Sequence, residues 1–266
     1  KSKLYLFEKL LKKNSTVITD IEIPEYKQIR RVASKRKLNI KTISNYKSDL
    51  TIVSQKYFED KQLIEIRYKN QNYKFQTNLI GKIQIKNILM AMLAAEKSGL
   101  NFKKIIDVMN KIKPVNGRLE KIGNIKNKSK VILDYAHTPD ALKVSLQNLK
   151  EQFKDKKISI VFGCGGNRDK SKRSMMGKIA NDYCDKIYIT DDNPRYENPK
   201  KIRSIIKKQV DKLKCFEISN RSEAIKKAIF ELKIGEILIV AGKGHESKQI
   251  YGNKENLFSD KKEILK

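Results

Sequence analysis

The chain has 266 residues, 39% of them hydrophobic, which is enough for one large or two smaller domains, with no apolar run long enough to span a bilayer and no signal-peptide pattern. Its three cysteines are not spaced as a metal site or a disulfide framework, which indicates a reduced, cytoplasmic compartment. Its 59 basic and 30 acidic side chains give a net charge of +29, spread along the chain rather than gathered in one patch.

The first 114 residues mix predicted helices and strands. Tyr5 to Leu11 predicts a helix. Strands are predicted at 16–19, 41–43, 50–53 and 63–68, with 73–75 as a candidate hairpin partner. Apolar residues then recur at helical spacing from Ile85 to Leu93, with Gly99 where that helix should end, and a second helix is predicted at about 103–112.

The predicted domain boundary is the segment from Lys113 to Gly117. Beyond it, strand and helix patterns alternate strictly, which predicts an α/β fold with a mostly parallel sheet. Two helix starts are clearly marked. Thr138 and Asn198 are predicted N-caps, since each precedes a proline at the first helical position.

Five predicted strands in this second half each stop at a cluster of glycine and polar residues. The clusters are Asp-Tyr-Ala-His-Thr-Pro at 134–139, Gly-Cys-Gly-Gly-Asn-Arg-Asp at 163–169, Asp-Asp-Asn-Pro-Arg at 191–195, Ser-Asn-Arg at 219–221 and Gly-Lys-Gly-His-Glu at 242–246. Open parallel sheets bind ligands outside the carboxyl ends of their strands. The clusters are therefore candidates for one site.

Each cluster also has an ordinary structural interpretation. The glycine run 163–166 lacks the spacing of a Walker A loop or a dinucleotide fingerprint, so it indicates either a tight turn or a phosphate-cradling loop. Arg168 is placed to hold a carboxylate or phosphate, or to lie in solvent. Both histidines of the chain, His137 and His245, fall in these clusters without metal-ligating neighbours in sequence. Cys164 has no neighbouring histidine, and we interpret it as structural.

Taken together, the motifs resemble those of the Mur ligases of peptidoglycan synthesis. The resemblance rests on Gly-Arg-Leu-Glu at 117–120 and on the clusters at 134–139, 162–169, 191–195 and 242–246, and it covers nearly the whole chain. It implies part of the central ATPase domain at 1–114 and a Rossmann-like carboxy-terminal domain with a mostly parallel sheet at 115–266. It also implies an ATP- and Mg²⁺-dependent amide ligase that activates a carboxylate as an acyl phosphate, which an amino group then attacks.

Within the family, the pattern is similar to that of members that add meso-2,6-diaminopimelate to UDP-N-acetylmuramoyl-L-alanyl-D-glutamate. The resemblance assigns the amino-acid pocket to Arg168, Asp192, Asn193, Pro194, Arg195, Gly242 and Glu246. Arg195 would pair with the distal carboxylate that lysine lacks, and Glu246 with the distal ammonium. The resemblance assigns ATP contacts to Arg118, Asp134, His137 and Asn87, with Asp134 placed at the ribose hydroxyls.

The family's glycine-rich P-loop ending in Gly-Lys-Thr does not occur in this sequence. The resemblance also assigns neither a catalytic residue nor a Mg²⁺ ligand within it. We therefore expect the chain to begin within the ATPase domain and to have no ligase activity by itself. An assay of ADP release checks this expectation, and diaminopimelate-dependent release from this chain would contradict it.

Two alternatives stay open on the sequence. One is a lysine-adding ligase, which would gain nothing from Arg195. The other is a non-enzymatic nucleic-acid-binding protein, which the net charge favours. The carboxylates of Asp191, Asp192 and Glu246 argue against it because they would repel phosphates. Since the basic residues are evenly spread, we expect solvated lysines, small-molecule partners, no nucleic acid, no membrane and a monomer.

Overall fold

Two separate sheets organise the chain, one on each side of Lys113. The computed structural model describes residues 2–123 and 128–266, which form two units, Lys1–Lys113 and Pro114–Lys266. The division lies at the segment where the sequence predicts a domain boundary. None of the helices in these ranges is both long and apolar enough to cross a lipid bilayer.

The sheet of the first unit follows chain order. Its strands are β1 (Thr16–Asp20), β2 (Asn39–Ser44), β3 (Leu50–Phe58), β4 (Lys61–Tyr68) and β5 (Gln71–Thr77). The first three strands run parallel, and β3, β4 and β5 form an antiparallel meander. All the predicted strands are confirmed, including the hairpin partner at 73–75, which pairs with β4.

The helices of this unit are α1 (Ser2–Tyr5), which continues as a π-helix (Leu6–Leu10), then α2 (Tyr26–Arg36), α3 (Lys82–Lys97), α4 (Phe102–Asp107) and a 3₁₀ turn (Met109–Lys111). The sequence predicts all of these except α2, which buries only Ile29 and Ala33 and so carries a weak apolar pattern. As predicted, α3 ends just before Gly99, whose φ of +97° favours glycine. Its buried residues, among them Leu89, belong to one hydrophobic cluster with sheet residues such as Ile64.

The second unit is built on a six-stranded sheet with the order β10-β9-β8-β11-β7-β6. Its strands are β6 (Glu120–Ile122), β7 (Lys130–Asp134), β8 (Ile158–Phe162), β9 (Lys186–Ile189), β10 (Cys215–Glu217) and β11 (Ile237–Ala241), and β12 (Lys248–Tyr251) and β13 (Lys254–Leu257) form a separate hairpin. Among the described strands of the large sheet, only β6 pairs antiparallel. The predicted α/β class with a mostly parallel sheet is confirmed.

Helices connect most of these strands, and one helix follows the last strand. They are α5 (Pro139–Gln152), α6 (Lys172–Tyr183), α7 (Pro199–Lys207), α8 (Arg221–Phe230) and α9 (Asp260–Leu265). Thr138 Oγ1 accepts a hydrogen bond from Ala141 N, and Asn198 Oδ1 accepts one from Lys201 N, each at 3.3 Å. Both predicted N-caps are therefore confirmed.

The strand order places all five polar clusters along one edge of the sheet, because β10, β9, β8, β11 and β7 are parallel neighbours. Although β11 is the last strand of the sheet in sequence, it lies between β7 and β8. All five of its residues are buried, as expected for a central parallel strand covered on both faces. The segments that follow β7, β11, β8 and β9 consequently share one edge of the sheet.

Candidate functional site

A cavity of about 570 Å³ opens at this edge of the second sheet. Its walls come from the segments that follow β7, β8, β9 and β11. Of the residues predicted from sequence, it brings together His137, Arg168, Asp192, Asn193, Arg195, Gly242 and Glu246. Pro194, Arg118 and Asp134 belong to the same unit without lining the cavity, and Asn87 is an exposed residue of α3 in the other unit.

Arg195 lines the cavity, and in the described part of the chain half of its guanidinium group has no protein partner. Its Nη1 donates a hydrogen bond to Gly166 O at 2.9 Å and a longer one to Asn193 O at 3.4 Å. Within residues 2–123 and 128–266, Nε and Nη2 make no hydrogen bond. These two nitrogens form the edge that binds a carboxylate with two parallel hydrogen bonds.

The hairpin of β12 and β13 fixes the backbone that carries Arg195. Arg195 N donates to Ile250 O at 3.0 Å, and Gly252 N donates to Arg195 O at 2.7 Å. The sequence analysis missed this hairpin. Its signal is the Gly-Asn pair at 252–253 between two short runs of alternating residues.

The two adjacent aspartates after β9 have different roles. Asp191 is paired with the guanidinium of Arg203 and accepts a hydrogen bond from Tyr251 Oη at 3.0 Å, so it is a structural carboxylate. Asp192 Oδ1 accepts from Asn193 N at 2.7 Å, and its Oδ2 has no hydrogen-bond partner in the described part of the chain. Only Asp192 is available to a ligand.

The absence of a side chain at Gly242 leaves space for the carboxylate of Asp192. A Cβ atom at position 242 would lie 3.0 Å from Asp192 Oδ2, and the φ of +111° is one that other residues rarely adopt. The prediction that Gly242 belongs to the pocket thus has a steric basis in addition to the family resemblance.

Glu246, Asn193 and Lys243 form a hydrogen-bonded group at one wall. Glu246 Oε2 accepts from Asn193 Nδ2 at 3.1 Å and from Lys243 Nζ at 3.0 Å. Lys243 is fully buried, and the sequence analysis assigned it no role. Its position between two glycines after a buried strand is the signal that it enters the interior there.

The loop after β8 and the start of α6 bring two cations to the cavity, Arg168 and Lys172. Arg168 is exposed, and its guanidinium has no hydrogen bond or ion pair among the residues described. Lys172, at the start of α6, donates to His137 O at 2.9 Å and was also missed from sequence. Hydrogen bonds from Ser171 lower the pKa of Asp169, which keeps a carboxylate beside these cations.

The glycine run 163–166 packs the loop after β8 against the segment after β9. A Cβ atom on Gly166 would overlap Pro194 O, and one on Gly163 would overlap Thr190 O. Cys164 is buried with its Sγ 3.7 Å from Met176 Sδ, and burial raises the pKa of its thiol to about 12. These facts support a close-packed turn and a structural cysteine.

An exposed platform of aromatic and cationic side chains adjoins the cavity. The guanidinium carbon of Arg118 lies 4.3 Å from the ring centre of Tyr135. The ring centres of His137 and His245 lie 4.5 and 5.2 Å from that of Tyr135. The sequence analysis assigned no role to Tyr135. An aromatic ring beside a guanidinium group, as at Tyr135 and Arg118, suits a nucleobase or another aromatic group.

Asp134 directs its carboxylate into the protein. Oδ2 accepts from Leu119 N at 2.8 Å and Oδ1 from Ala136 N at 2.7 Å, which fastens the 117–120 segment to the end of β7. Burial raises the pKa of Asp134, and these hydrogen bonds oppose the rise. Its predicted contact with a ribose stays a prediction, as does the role of Asn87 at the nucleotide.

In the ranges that the structure describes, no three His, Cys, Asp or Glu side chains lie close enough together to hold a metal ion. The described residues therefore do not form a Mg²⁺ site made of three protein side chains. Magnesium is usually held by one or two carboxylates together with substrate phosphates and water, so it would bind with ATP.

Comparison with known proteins places both units in one group. The family model of the Mur ligase middle domain matches residues 1–95, and that of the Mur ligase glutamate ligase domain matches residues 117–244. UDP-N-acetylmuramoyl-L-alanyl-D-glutamate–2,6-diaminopimelate ligase of Rickettsia conorii is 42% identical over all of this chain and 54% of its own length. The Rhizobium meliloti protein of the same name is 36% identical over the same shares. The chain thus spans about half the length of these curated relatives.

Solved structures agree with this result. A structure of UDP-N-acetylmuramoyl-L-alanyl-D-glutamate–2,6-diaminopimelate ligase matches 99% of this chain and 54% of its own, with a TM-score of 0.68 and 29% identity. The MurF ligase of Thermotoga maritima, solved with ADP, matches 90% of this chain and 52% of its own, with a TM-score of 0.69 and 17% identity. The second match supports the fold alone.

Proposed function

This chain belongs to the Mur ligase family, and we propose that it acts in an ATP-dependent ligase that adds meso-2,6-diaminopimelate to UDP-N-acetylmuramoyl-L-alanyl-D-glutamate in peptidoglycan synthesis. The observation that carries the proposal is the unpaired edge of Arg195 in a cavity that also contains Asp192 and Glu246. A guanidinium group and two carboxylates complement a ligand that has both a carboxylate and an ammonium group at its far end.

The wall residues suit the charges of diaminopimelate. This amino acid has a carboxylate and an ammonium group at each end, whereas lysine has only an ammonium at its far end. Arg168 and Arg195 both flank Gly165, where a Cβ atom would lie 4.0 Å from Arg168 Cγ and 3.0 Å from Arg195 Nη1. We assign the two carboxylates to these guanidinium groups, and the distal ammonium to Glu246 and the free oxygen of Asp192.

ATP would supply the phosphoryl group. A carboxylate oxygen of the dipeptide substrate attacks the γ-phosphorus, the bond to the β-phosphate oxygen breaks, and ADP leaves. The uncharged amino nitrogen of diaminopimelate then attacks the acyl carbon, phosphate departs, and the nitrogen loses a proton. Mg²⁺, when bound, would neutralise the charge on the phosphates.

In this scheme the described residues bind and orient the reactants. Arg118, Tyr135 and His137 would face the nucleotide, and Asp134 would hold the 117–120 segment so that Arg118 stays over Tyr135. The amino-acid pocket would hold the attacking nitrogen at the acyl phosphate, and positioning of this kind contributes a large part of the rate in such reactions. Asn87 is included in the nucleotide site on the family resemblance.

We also propose that the partners are limited to the UDP-N-acetylmuramoyl dipeptide, meso-diaminopimelate and ATP. The protein would then be a cytoplasmic monomer without nucleic-acid or membrane partners. The carboxylates at the strand ends and the three free cysteines support this view.

Calorimetric titration of the chain with meso-diaminopimelate, L-lysine and pimelate tests the proposal. We expect diaminopimelate to bind tightest, and lysine to bind about tenfold or more weakly because it forms fewer charge-assisted hydrogen bonds. Equal binding of lysine would favour the lysine-adding alternative. No binding of either amino acid, together with tight salt-dependent binding of RNA, would instead favour the nucleic-acid alternative.

A further inference from the structure

Lys243 is a fully buried lysine placed between two pocket residues. Its Nζ donates to Asn193 Oδ1 and to Glu246 Oε2, each at 3.0 Å. A buried ammonium group is costly unless it is paired and hydrogen-bonded. Here both contacts are made to side chains of the candidate site, so the cation is part of the construction of the pocket.

The contacts of Lys243 orient Asn193 and Glu246. Asn193 Oδ1 accepts from Lys243 Nζ and also from Ile250 N at 3.1 Å, so its amide oxygen is fixed on that side. Its Nδ2 therefore faces Glu246 and donates to Oε2 at 3.1 Å. Glu246 Oε1 has no hydrogen-bond partner within the described ranges, and the side chain is 34% exposed. One oxygen of Glu246 is thus held and the other is free for a ligand.

The same contact changes the charge of the pocket. Three carboxylates, Asp169, Asp192 and Glu246, line the cavity, and Lys243 balances the charge of Glu246. Three other buried cations near the site, Arg173, Arg203 and Arg221, are already paired with Glu197, Asp191 and Asp260. Without Lys243, the pocket would hold one more uncompensated negative charge and would attract a ligand with one more positive charge.

We propose that Lys243 is a positioning residue that sets the charge preference of the pocket. By neutralising Glu246, it makes the pocket favour a net-neutral diamino dicarboxylic acid over a net-cationic diamino acid. This inference deepens the proposed function and rests on it. Lys243 is thus a second determinant of selectivity besides Arg195, and it does not itself contact the distal carboxylate of diaminopimelate.

The test is the ratio of affinities for L-lysine and meso-diaminopimelate in Lys243→Met, measured by calorimetry. Methionine keeps the length and apolar stem of lysine without the charge. We expect the affinity for L-lysine relative to that for meso-diaminopimelate to rise by about tenfold or more. The reason is that an unbalanced charge in a partly desolvated site acts strongly on a ligand charge. A merely structural role would weaken both ligands alike, and an unchanged ratio would overturn the proposal.

The double variant Lys243→Met with Glu246→Gln is the matched control. It removes one positive and one negative charge, so the ratio should return toward the wild-type value. Glu246→Gln alone keeps Lys243 and should move the ratio the opposite way, away from lysine. Circular dichroism reports whether Lys243→Met folds. If it does not fold, Glu246→Gln alone still tests the proposal, and an unchanged ratio of affinities in that variant contradicts it.

The wild-type titration separates this inference from the proposed function. If the wild-type chain binds neither amino acid, the function assigned to the pocket is wrong. If it prefers diaminopimelate and the variants keep that preference unchanged, the function stands and the role of Lys243 is wrong.

Discussion

Replacement of Arg195 by alanine should weaken the binding of meso-diaminopimelate by about 100-fold or more, since it removes two charge-assisted hydrogen bonds worth roughly 1.5–3 kcal/mol each. The bonds are those that the free Nε and Nη2 would make with the distal carboxylate. L-Lysine lacks that carboxylate, so its binding should not weaken, and the loss of a cation from the cavity favours its ammonium group. Calorimetric titration of both ligands measures the two effects in one variant.

Two further variants sharpen this test. Arg195→Lys keeps the charge without the planar pair of donors, so we expect an affinity between those of the wild type and the alanine variant. Lys200→Ala removes an equal charge from an exposed position of α7 and should leave both affinities unchanged. Undiminished diaminopimelate binding in Arg195→Ala would show that the distal carboxylate is held elsewhere.

Replacement of Arg221 by methionine should lower the free energy of unfolding by about 3–5 kcal/mol, the usual cost of leaving a buried charge without its partner. Arg221 and Asp260 are almost completely buried, and two hydrogen bonds of 2.7 Å join Nε and Nη2 to the carboxylate. Nη2 also donates to Ala241 O at 2.9 Å, beside Gly242. The pair therefore anchors α9 and the start of α8 to the end of β11. Urea denaturation followed by circular dichroism measures the loss.

The control for this prediction is Arg30→Met. Arg30 is exposed on α2, and its replacement should change stability by less than about 0.5 kcal/mol. The double variant Arg221→Met with Asp260→Leu should recover much of the loss, because a buried ion pair is often replaced by apolar side chains at little cost. A loss below about 1 kcal/mol in Arg221→Met would mean that water or another group satisfies Asp260.

Arg221 also illustrates a limit of the sequence analysis. The Ser-Asn-Arg cluster at 219–221 reads as a turn before a helix, and Asn220 Oδ1 does cap α8 by accepting from Ser222 N and Glu223 N. No feature of the neighbouring sequence identifies the partner of Arg221, because Asp260 lies 39 positions further along the chain. The capping function is local and was predictable, whereas the ion pair exists only in the folded chain.

The two aspartates after β9 show the same limit. Asp191 and Asp192 are equivalent in sequence, but in the folded chain they face different neighbours. Asp191 contacts Arg203 and Tyr251 and is structural, whereas Asp192 lies against Gly242 and is part of the cavity wall. The resemblance to a family selected Asp192, and the geometry supplies a physical reason for the choice.

The sequence by itself determined the features that depend on neighbouring residues. Apolar runs, prolines and capping side chains specify the strands, the helix starts at Thr138 and Asn198, and the alternation that yields a mostly parallel sheet. Tertiary structure alone decided which strand ends meet. Insertion of β11 between β7 and β8 brings Lys243 and Glu246 to Asn193, and the β12–β13 hairpin aims Arg195. Pairings across such distances follow from how whole elements pack, which no local pattern records.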